Sequence, residues 1–321
     1  MKILITGGAG YIGSILALKL LTLNYEVKIY DNLMVGGNSL LPLLLFPNFE
    51  FVNEDIRHKD KFRHEVAGVD WVVHLAALVG HRLCERNPSE SWEINYESTL
   101  NVYDICNNLG IKRMVFVSTC SNYGITEAAG LADEDSKLNP ISLYAQTKVA
   151  AEENLLKMAS TKTSICILRF ATIFGLSPRM RFDLMLNEFV RDAIFGKKII
   201  IYNPLSWRPF LHVQDAARAI IHVLTSPLEK IHKEIYNIGI GNYQKIELAQ
   251  KVQQRIPEVE IVIQKQSEDN RNYQVSFNKM KKKLKFFPKY QIQDGIEEIR
   301  NLIQKKIIEN PYNPIYTSFN K

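Results

Sequence analysis

Short apolar runs alternate with stretches of helical periodicity along the first half of the chain. The predicted elements are strands at 2–6, 26–30, 71–75, 114–118 and 164–170, and helices at 11–23 and 89–109. Gly110 follows the long helix as a typical C-cap residue. Near-continuous apolar strands that alternate with helices predict a parallel sheet covered on both faces. Such sheets bind ligands at the carboxyl ends of their strands.

A glycine-rich turn follows the first predicted strand, with the sequence Thr-Gly-Gly-Ala-Gly-Tyr-Ile-Gly at positions 6–13. Gly7 permits a tight turn, Gly10 lets the backbone approach a pyrophosphate, and Gly13 lets the next helix pack closely on the sheet. A phosphate then meets the positive end of that helix. We therefore expect a dinucleotide-binding turn that also includes Tyr11 and Ile12.

Acidic residues end the next two predicted strands. Asp31, which precedes Asn32, lies at the distance expected for an acid that hydrogen-bonds both hydroxyls of an adenosine ribose. Its carboxylate would repel a 2′-phosphate, which favours NAD over NADP; the alternative is a turn-capping role. Asp55, which precedes Ile56, fits an adenine contact and an ordinary turn acid equally well.

Tyr144 and Lys148 are the most informative pair in the chain. Residues four apart lie on one face of a helix, so the lysine ammonium would favour the phenolate and lower the tyrosine pKa. A tyrosine whose pKa falls below its usual value near 10 can act as a base. The same spacing is also typical of a solvated helix face.

The length and charge of the chain fit a soluble protein with a small-molecule ligand. Its 321 residues are 46% hydrophobic, which is enough for a large core in two lobes. The net charge is +6, from 40 basic and 34 acidic residues. The basic run at 281–283 is typical of a solvated helix face and has no nucleic-acid motif beside it, so we expect no nucleic-acid partner.

The cysteines and the apolar runs bear on localisation. Cys84, Cys106, Cys120 and Cys166 form no Cys-x-x-Cys pair and no His cluster accompanies them, so we expect reduced, buried thiols and no metal site. No apolar run reaches the roughly 20 residues needed to cross a bilayer. Glycines interrupt the apolar start, which argues against a signal peptide. The expectation is a cytoplasmic protein that does not enter a membrane.

Together these motifs resemble the extended short-chain dehydrogenases/reductases, specifically the NAD-dependent nucleotide-sugar epimerase/dehydratase group, over nearly the whole chain. Besides the glycine-rich turn, the matching pieces are Asp31, Asp55-Ile56, His74-Leu-Ala-Ala77, Asn95, residues 118–124, Tyr144 with Lys148, and residues 208–213. The resemblance implies an α/β fold with a Rossmann-type doubly wound parallel sheet and a smaller, mostly C-terminal substrate-binding lobe. Residues 1–168 plus 209–238 would form the NAD-binding domain, and 169–208 plus 239–321 the nucleotide-sugar-binding lobe.

The resemblance also implies the catalytic roles. Thr119 would hydrogen-bond a sugar oxygen, Tyr144 would remove or return the proton of that oxygen, and Lys148 would bind the nicotinamide ribose. For Thr119 the alternative is a β-branched strand residue whose hydroxyl bonds to the backbone. Further cofactor contacts would come from Leu75, Ala76 and Ala77, with Asn95 supporting Lys148.

Substrate contacts are expected from the second half of the chain. Arg208 and Arg271 would bind the nucleotide diphosphate, because a guanidinium makes bidentate bonds to phosphate, although the acid that usually follows the second arginine is missing. Arg181 and Asn187 would contact the sugar or the base, or else form a structural helix entry. His81 would face the sugar or the nicotinamide, or else solvent.

Departures from the family pattern narrow the reaction. Cys120 and Ser121 stand where dehydratases of the group carry Asp-Glu, so dehydration is disfavoured. Simple redox at one carbinol remains, with C4 as the first choice, by a 4-epimerase or a C4 dehydrogenase/ketoreductase in sugar-nucleotide (surface polysaccharide) biosynthesis. The alternative is a catalytically idle relative that binds NAD(H) as a sensor or structural module.

The resemblance further implies a homodimer built on a four-helix interface, an assembly common in the group. The expected face consists of Val149, Ala150 and Leu155 with Val102 and Ile105. The apolar stretch at 40–46 is interpreted as a loop that packs over the adenosine side or against a subunit, although an exposed patch there would mark an interaction surface.

Overall fold

The structure is a computed structural model that describes residues 1–125, 130–264 and 271–318. Its strands are β1 (Lys2–Thr6), β2 (Glu26–Asp31), β3 (Phe49–Asn53), β4 (Trp71–His74), β5 (Arg113–Thr119), β6 (Ser164–Phe170), β7 (Thr172–Phe174), β8 (Lys198–Tyr202), β9 (Trp207–His212), β10 (Glu234–Ile238), β11 (Gly241–Gln244) and β12 (Glu260–Gln264). Its α-helices are α1 (Tyr11–Thr22), α2 (Lys59–Val66), α3 (His81–Arg86), α4 (Pro88–Trp92), α5 (Ser98–Leu109), α6 (Leu143–Met158), α7 (Met185–Phe195), α8 (Val213–Thr225), α9 (Lys245–Gln253) and α10 (Ile292–Gln304).

Seven strands form one parallel sheet in the order β3-β2-β1-β4-β5-β6-β10. All residues of β4 and β6 are buried, as expected for strands covered on both faces. The direction of winding reverses between β1 and β4, which creates the crevice where doubly wound sheets bind ligands. The predicted Rossmann-type α/β fold is confirmed.

Helices cover both faces of this sheet. On one face α1 packs against α8, and on the other face α2, α5 and α6 pack side by side. The predicted helix at 89–109 starts at Pro88 and contains a π-helical segment, Glu93–Glu97, between α4 and α5. The helix ends at Gly110, whose φ of 70° is the left-handed conformation predicted for a glycine C-cap.

In the second half, the described residues also form two small sheets and the helices α7, α9 and α10. One sheet has the order β11-β9-β7 and the other pairs β12 with β8, while α7 packs against α9 and α10. Strand β9 spans the expected domain boundary at 208/209. Residues 265–270 and 319–321 of the expected second lobe lie outside the described residues. The division into two lobes stays a prediction.

The prediction of which residues form a dimer face is in part wrong. Leu155, Val102 and Ile105 are at most 3% exposed, because they belong to the core between α5, α6 and the sheet. They cannot contact a second subunit while the protomer is folded. Val149 and Ala150 are half-buried and remain available to such a face.

The apolar stretch at 40–46 is a short 3₁₀ helix, Asn38–Leu45. Leu40 and Leu43 are buried and belong to the same core as α1. Leu41, Leu44 and Leu45 point outward and are 63%, 65% and 85% exposed. The stretch therefore packs through one face and leaves an apolar ridge on the surface.

All four cysteines are buried as free thiols, as expected. Over the three described ranges, no group of His, Cys, Asp and Glu has a geometry that could hold a metal ion. None of the helices described is both long and apolar enough to cross a membrane.

Candidate active site

The carboxyl ends of the central strands open onto a cleft of about 1100 Å³. The predicted site residues that line this cleft are Gly7, Gly10, Tyr11, Ile12, Gly13, Asp31, Asn32, Asp55, Ile56, Leu75, Ala76, Ala77, His81, Thr119, Tyr144, Lys148, Arg181, Arg208 and Arg271. Two predicted contacts, Asn95 and Asn187, are fully buried behind the cleft wall. The cleft therefore brings residues from both halves of the chain to one place.

The glycine-rich turn has the close contacts that its sequence predicts. A Cβ added to Gly7, whose φ is +69°, would lie 2.7 Å from the backbone nitrogen of Ala76. One added to Gly13 would lie 2.5 Å from the Gly7 carbonyl oxygen. Gly10 is the N-cap of α1 and supplies no side-chain cap, so the first N–H groups of α1 suit an incoming phosphate.

Asp31 is fixed by backbone donors at the end of β2. Its carboxylate accepts hydrogen bonds from the N–H groups of Ala9 (3.0 Å) and Leu33 (2.8 Å). Burial raises the pKa of Asp31 above its usual value, although these two bonds oppose the shift. An oriented acid next to the glycine-rich turn fits a ribose diol.

Asp55 is held by its neighbours in the same region. Arg57 makes a bidentate contact to it, with Nε–Oδ1 and Nη2–Oδ2 distances of 2.9 Å, and the Asn32 amide donates to Oδ2 at 2.9 Å. Although partial burial acts in the opposite direction, these bonds lower the pKa of Asp55 to about 2. The carboxylate is therefore ionised and fixed at the cleft edge.

Thr119 is the last residue of β5, on the strand that faces α6. Its hydroxyl accepts a hydrogen bond from the Ser121 backbone N–H (3.1 Å) and lies 2.7 Å from the Ser121 hydroxyl. Both side chains line the cleft. The two hydroxyls form a polar pair in the cleft that Tyr144 also lines, and Ser121 was not among the predicted contacts.

Tyr144 and Lys148 lie on the first turns of α6, but their electrostatics differ from the prediction. Burial raises the pKa of Tyr144 above its usual value, and the group that opposes this shift is Arg181 rather than Lys148. Burial also lowers the pKa of Lys148 to about 8. The Lys148 ammonium lies 4.4 Å from the centre of the Phe116 ring. The expected lowering of the tyrosine pKa by lysine is thus not seen, because desolvation is the larger effect.

Asn95 organises the wall behind this pair. Its Oδ1 accepts from the Leu78 N–H (2.8 Å), and its Nδ2 donates to the Leu78 carbonyl (3.0 Å) and to the Thr147 hydroxyl (3.3 Å). Asn95 thus ties the loop after β4 to α6 next to Lys148. The π-helical segment is what brings its side chain into this position.

Asn187 was predicted to contact the substrate or to form a structural helix entry, and its contacts favour the structural role. Its Oδ1 accepts from the Gly175 N–H (3.1 Å), and its Nδ2 donates to the Tyr11 hydroxyl (3.0 Å) and to the Arg181 carbonyl (2.8 Å). The side chain is 0% exposed. Its polar atoms are used inside the protein, so it supports the cleft wall instead of facing the ligand.

The two expected phosphate-binding arginines are adjacent. Arg208 donates to the carbonyl oxygens of Trp207 (2.8 Å) and Arg271, and its guanidinium lies 5.5 Å from the centre of the Tyr273 ring. Arg208 is buried and Arg271 is half-buried, and both line the cleft. Two cations at one end of a cleft favour a diphosphate.

At the other side of the cleft, Arg181 forms a bidentate pair with Asp183, with distances of 3.0 and 2.7 Å. Ser318, near the C-terminus, donates to the same carboxylate at 2.8 Å. His81 begins α3 and its Nδ1 lies 3.0 Å from a carboxylate oxygen of Glu85. Arg181 is thus a cleft residue that already has a protein partner, whereas His81 Nδ1 lies close to Glu85 without making a hydrogen bond within the described residues.

Arg179 and Lys245 also line the cleft and were not predicted. Arg179 is two residues from Arg181 in a basic sequence, which was an available signal. Lys245 donates to the Tyr202 carbonyl at 3.0 Å. It follows a strand with no motif of its own, so only the folded arrangement of β8 and α9 reveals it.

A glycine-rich turn at a helix N-terminus, an oriented acid beside it and the set Thr119, Tyr144 and Lys148 lie in one cleft, an arrangement typical of NAD-dependent enzymes of the short-chain dehydrogenase/reductase type. The family model of the NAD dependent epimerase/dehydratase family matches residues 3–239. The chain therefore belongs to this family, and NAD is its cofactor.

Two curated relatives illustrate the family's range. A putative UDP-glucose 4-epimerase of Methanocaldococcus jannaschii is 29% identical over 307 residues, which are 93% of this chain and 97% of that protein. A UDP-N-acetyl-alpha-D-glucosaminuronate decarboxylase of Bacillus cytotoxicus is 30% identical over 314 residues, 92% of this chain and 96% of that protein.

Solved structures are also similar to the chain over nearly its whole length. DesIV, a dTDP-glucose 4,6-dehydratase from Streptomyces venezuelae with NAD bound, has a TM-score of 0.86 at 26% identity and covers 98% of this chain and 100% of its own. The UDP-glucuronic acid 4-epimerase from Bacillus cereus, in complex with UDP-glucuronic acid and NAD, has a TM-score of 0.85 at 25% identity, with coverage of 95% and 99%. The chain is thus an enzyme of nucleotide-sugar modification.

Proposed function

We propose that the protein is an oxidoreductase-type isomerase that inverts C4 of a nucleotide-diphosphate sugar by oxidation and re-reduction. The observation that carries this proposal is the arrangement of Thr119, Tyr144 and Lys148 in one cleft with the dinucleotide-binding turn and two arginines. A relative that binds NAD without catalysing a reaction would not need Thr119, Tyr144 and Lys148 together. Names of relatives and neighbours that include 4-epimerases add support.

The protein's own groups would divide the work as follows. When bound, NAD would supply the hydride chemistry at the sugar carbon, and the glycine-rich turn, Asp31 and Lys148 would hold it. Thr119 orients the sugar oxygen, and Tyr144 takes the proton of that oxygen during oxidation and returns it during reduction. Lys148 would bind the nicotinamide ribose, and Arg181 is the group that opposes the burial-driven rise in the Tyr144 pKa.

Cys120 and Ser121 restrict the reaction to proton transfer that accompanies redox. Elimination of water needs an extra acid and base beside the catalytic hydroxyl, and these positions hold a thiol and an alcohol instead. The Cys120 thiol is buried, and it donates to the Arg169 carbonyl at 3.2 Å, away from the cleft. Burial raises the pKa of the Cys120 thiol, so it is neutral near pH 7. A dehydratase is therefore disfavoured.

Arg208 and Arg271 would bind the diphosphate, and the relatives named above make uridine the base to test first. His81 and Arg181 would face the sugar, and Asp31 and Asp55 the adenosine half of NAD. A C4 dehydrogenase or ketoreductase that releases its product uses the same groups and is the second candidate. The proposed place of either activity is the biosynthesis of sugar nucleotides for surface polysaccharides.

A homodimer remains part of the proposal, with a revised face. Trp92 is 37% exposed and packs edge-on against Tyr96, with ring centres 5.6 Å apart. These rings, together with Val149 and Ala150, give α4 to α6 a partly apolar outer surface. Sedimentation at micromolar concentration should show a dimer, and Trp92→Glu should give a monomer. A wild-type protein that sediments only as a monomer would contradict this assembly.

Incubation with NAD and a panel of sugars tests the reaction directly. The panel is UDP-glucose, UDP-N-acetylglucosamine, UDP-glucuronic acid and dTDP-glucose. The reaction is monitored by the absorbance of NADH and by NMR of the sugar product. An epimerase gives the C4 epimer without lasting NADH. A stable NADH signal with a keto product would establish net oxidation instead, and no product from any sugar would reject the proposal.

A further inference from the structure

A buried ion pair lies directly behind the catalytic residues. Glu152 on α6 and Arg169 on β6 are 2% and 3% exposed. The guanidinium makes three bonds to the carboxylate, with Nε–Oε1 of 3.2 Å, Nε–Oε2 of 3.0 Å and Nη2–Oε2 of 2.7 Å. Removing two charges from water costs several kcal/mol per ion before the pair forms, so packing alone gives little reason to keep such a pair here.

Glu152 is also connected to the strand end that carries Thr119. The Asn122 amide donates to Glu152 Oε1 at 2.8 Å and to the Ser118 hydroxyl at 3.2 Å. Ser118 immediately precedes Thr119, and Asn122 lies in the 3₁₀ turn that immediately follows it. One amide thus joins α6 to both sides of the catalytic threonine.

The other end of the pair reaches the same turn. Arg169 Nη1 donates to the Tyr123 hydroxyl at 2.9 Å, and that hydroxyl donates to Asn237 Oδ1 at 2.8 Å. In the sheet, Arg169 is paired with Ser118 across β5 and β6. The pair therefore fixes α6, β5, β6 and β10 relative to one another at the depth of the active site.

Glu152 also acts on Lys148, which lies one helical turn before it. Its carboxylate is the largest influence that opposes the burial-driven fall in the Lys148 pKa. The other titratable groups that interact with Lys148 are Cys84 and His74. Burial keeps both neutral, since it raises the pKa of Cys84 and lowers that of His74 to about 3. Of Glu152, Cys84 and His74, only Glu152 therefore places a charge near the Lys148 ammonium.

We propose that Glu152 and Arg169 are positioning residues for the reaction. Their ion pair holds the helix that carries Tyr144 and Lys148 against the turn after Thr119, and it places a carboxylate one helical turn from the Lys148 ammonium. This inference rests on the proposed redox function of the same cleft.

Three variants of the holoenzyme test it. Glu152→Gln keeps an acceptor for Asn122 and removes the charge. Glu152→Gln with Arg169→Met removes the pair without leaving a charge buried, which protects the fold. Asn122→Ala cuts the link to Ser118 and buries no charge. Glu153→Gln removes an acid from the exposed position next to Glu152 on α6 and is the matched control.

We expect kcat to fall about tenfold in all three variants, because small displacements of catalytic groups cost at least this much, while the Kd for UDP stays unchanged. In both variants that lack the carboxylate, the high-pH limb of kcat should move down by about one pH unit, because Lys148 loses its proton more easily. Glu153→Gln should change none of these quantities. A folded double variant and a folded Asn122→Ala variant with wild-type kcat and pH profile would overturn the proposal.

NMR of holoenzyme labelled with [ε-13C]lysine separates this inference from the proposed function. Lys148→Met assigns the signal, and its titration should move to lower pH in Glu152→Gln or in the double variant. An unchanged titration in the double variant would reject the charge effect even if no sugar is turned over. A wild-type enzyme inactive on every sugar would reject the proposed function and leave this titration as the test of Glu152.

Discussion

The side-chain amide of Asn187 lies 3.0 Å from the hydroxyl of Tyr11, so a residue of α7 is hydrogen-bonded to the glycine-rich turn. Tyr11 in turn donates to the carbonyl of Gly175, and the Ser177 hydroxyl donates to the Tyr11 carbonyl at 2.7 Å. The cofactor turn and the segment that leads to Arg181 are thus parts of one buried hydrogen-bond system. The wall of the substrate half depends on this system.

Asn187→Ala should therefore destabilise the protein, although the side chain lies behind the cleft wall and does not face the ligand. The change leaves the Gly175 N–H and the Arg181 carbonyl without their buried partner, so we expect a loss of about 1–3 kcal/mol in the free energy of unfolding. Urea unfolding measures this quantity. Asn108→Ala, at an exposed site on α5, is the control and should change it by less than about 0.5 kcal/mol. Equal stability of the two variants would contradict the assignment.

Asp31→Asn should weaken the preference for NAD over NADP. The amide oxygen can accept only one of the two N–H bonds, because Ala9 and Leu33 donate to different oxygens of Asp31, and the negative charge that repels a 2′-phosphate is gone. We expect the ratio of the two Kd values to shift by about tenfold toward NADP. Fluorescence titration with both cofactors measures the ratio. An unchanged ratio would show that Asp31 does not discriminate between the ribose of NAD and the 2′-phosphorylated ribose of NADP.

Cys120 should be chemically inert and dispensable for turnover. Its thiol is buried with a raised pKa, so little thiolate is present near pH 7. Iodoacetamide should leave the native enzyme active, and Cys120→Ser should keep kcat within about threefold, because serine retains a donor for the Arg169 carbonyl. Rapid inactivation that Cys120→Ser prevents would reveal a thiol in the reaction.

The local motifs were predictable because each depends on a few consecutive residues. The glycine-rich turn needs small residues at 7, 10 and 13, and the Tyr144–Lys148 pair needs only the helical repeat. For Asn187 the sequence left a substrate contact and a structural role open, because one of the bonds that bury its amide is to Tyr11, 176 residues away in the sequence. The dimer face was in part wrong for a related reason: the family resemblance indicates which helices would form it, but not which of their apolar residues face the core.

Lys148 should make stability rise with pH above neutrality. Burial lowers its pKa from the usual 10.5 to about 8, so between these values the unfolded chain binds more protons than the folded protein. Stability therefore increases as pH rises through this window, by up to about 3 kcal/mol in the cofactor-free protein. Lys148→Met should remove this increase when urea unfolding is compared at pH 8 and pH 10. A Lys148→Met variant whose stability depends on pH as in the wild type would contradict this role of Lys148.

The turnover of Tyr144→Phe tests the central claim most directly. The substitution keeps the ring and removes the hydroxyl that takes the proton from the sugar oxygen. We expect kcat on the best sugar of the panel to fall by at least about 100-fold, the usual contribution of a positioned proton-transfer group, while the Kd for NAD stays within about threefold. A Phe variant that binds NAD and turns over sugar at the wild-type rate would contradict the account.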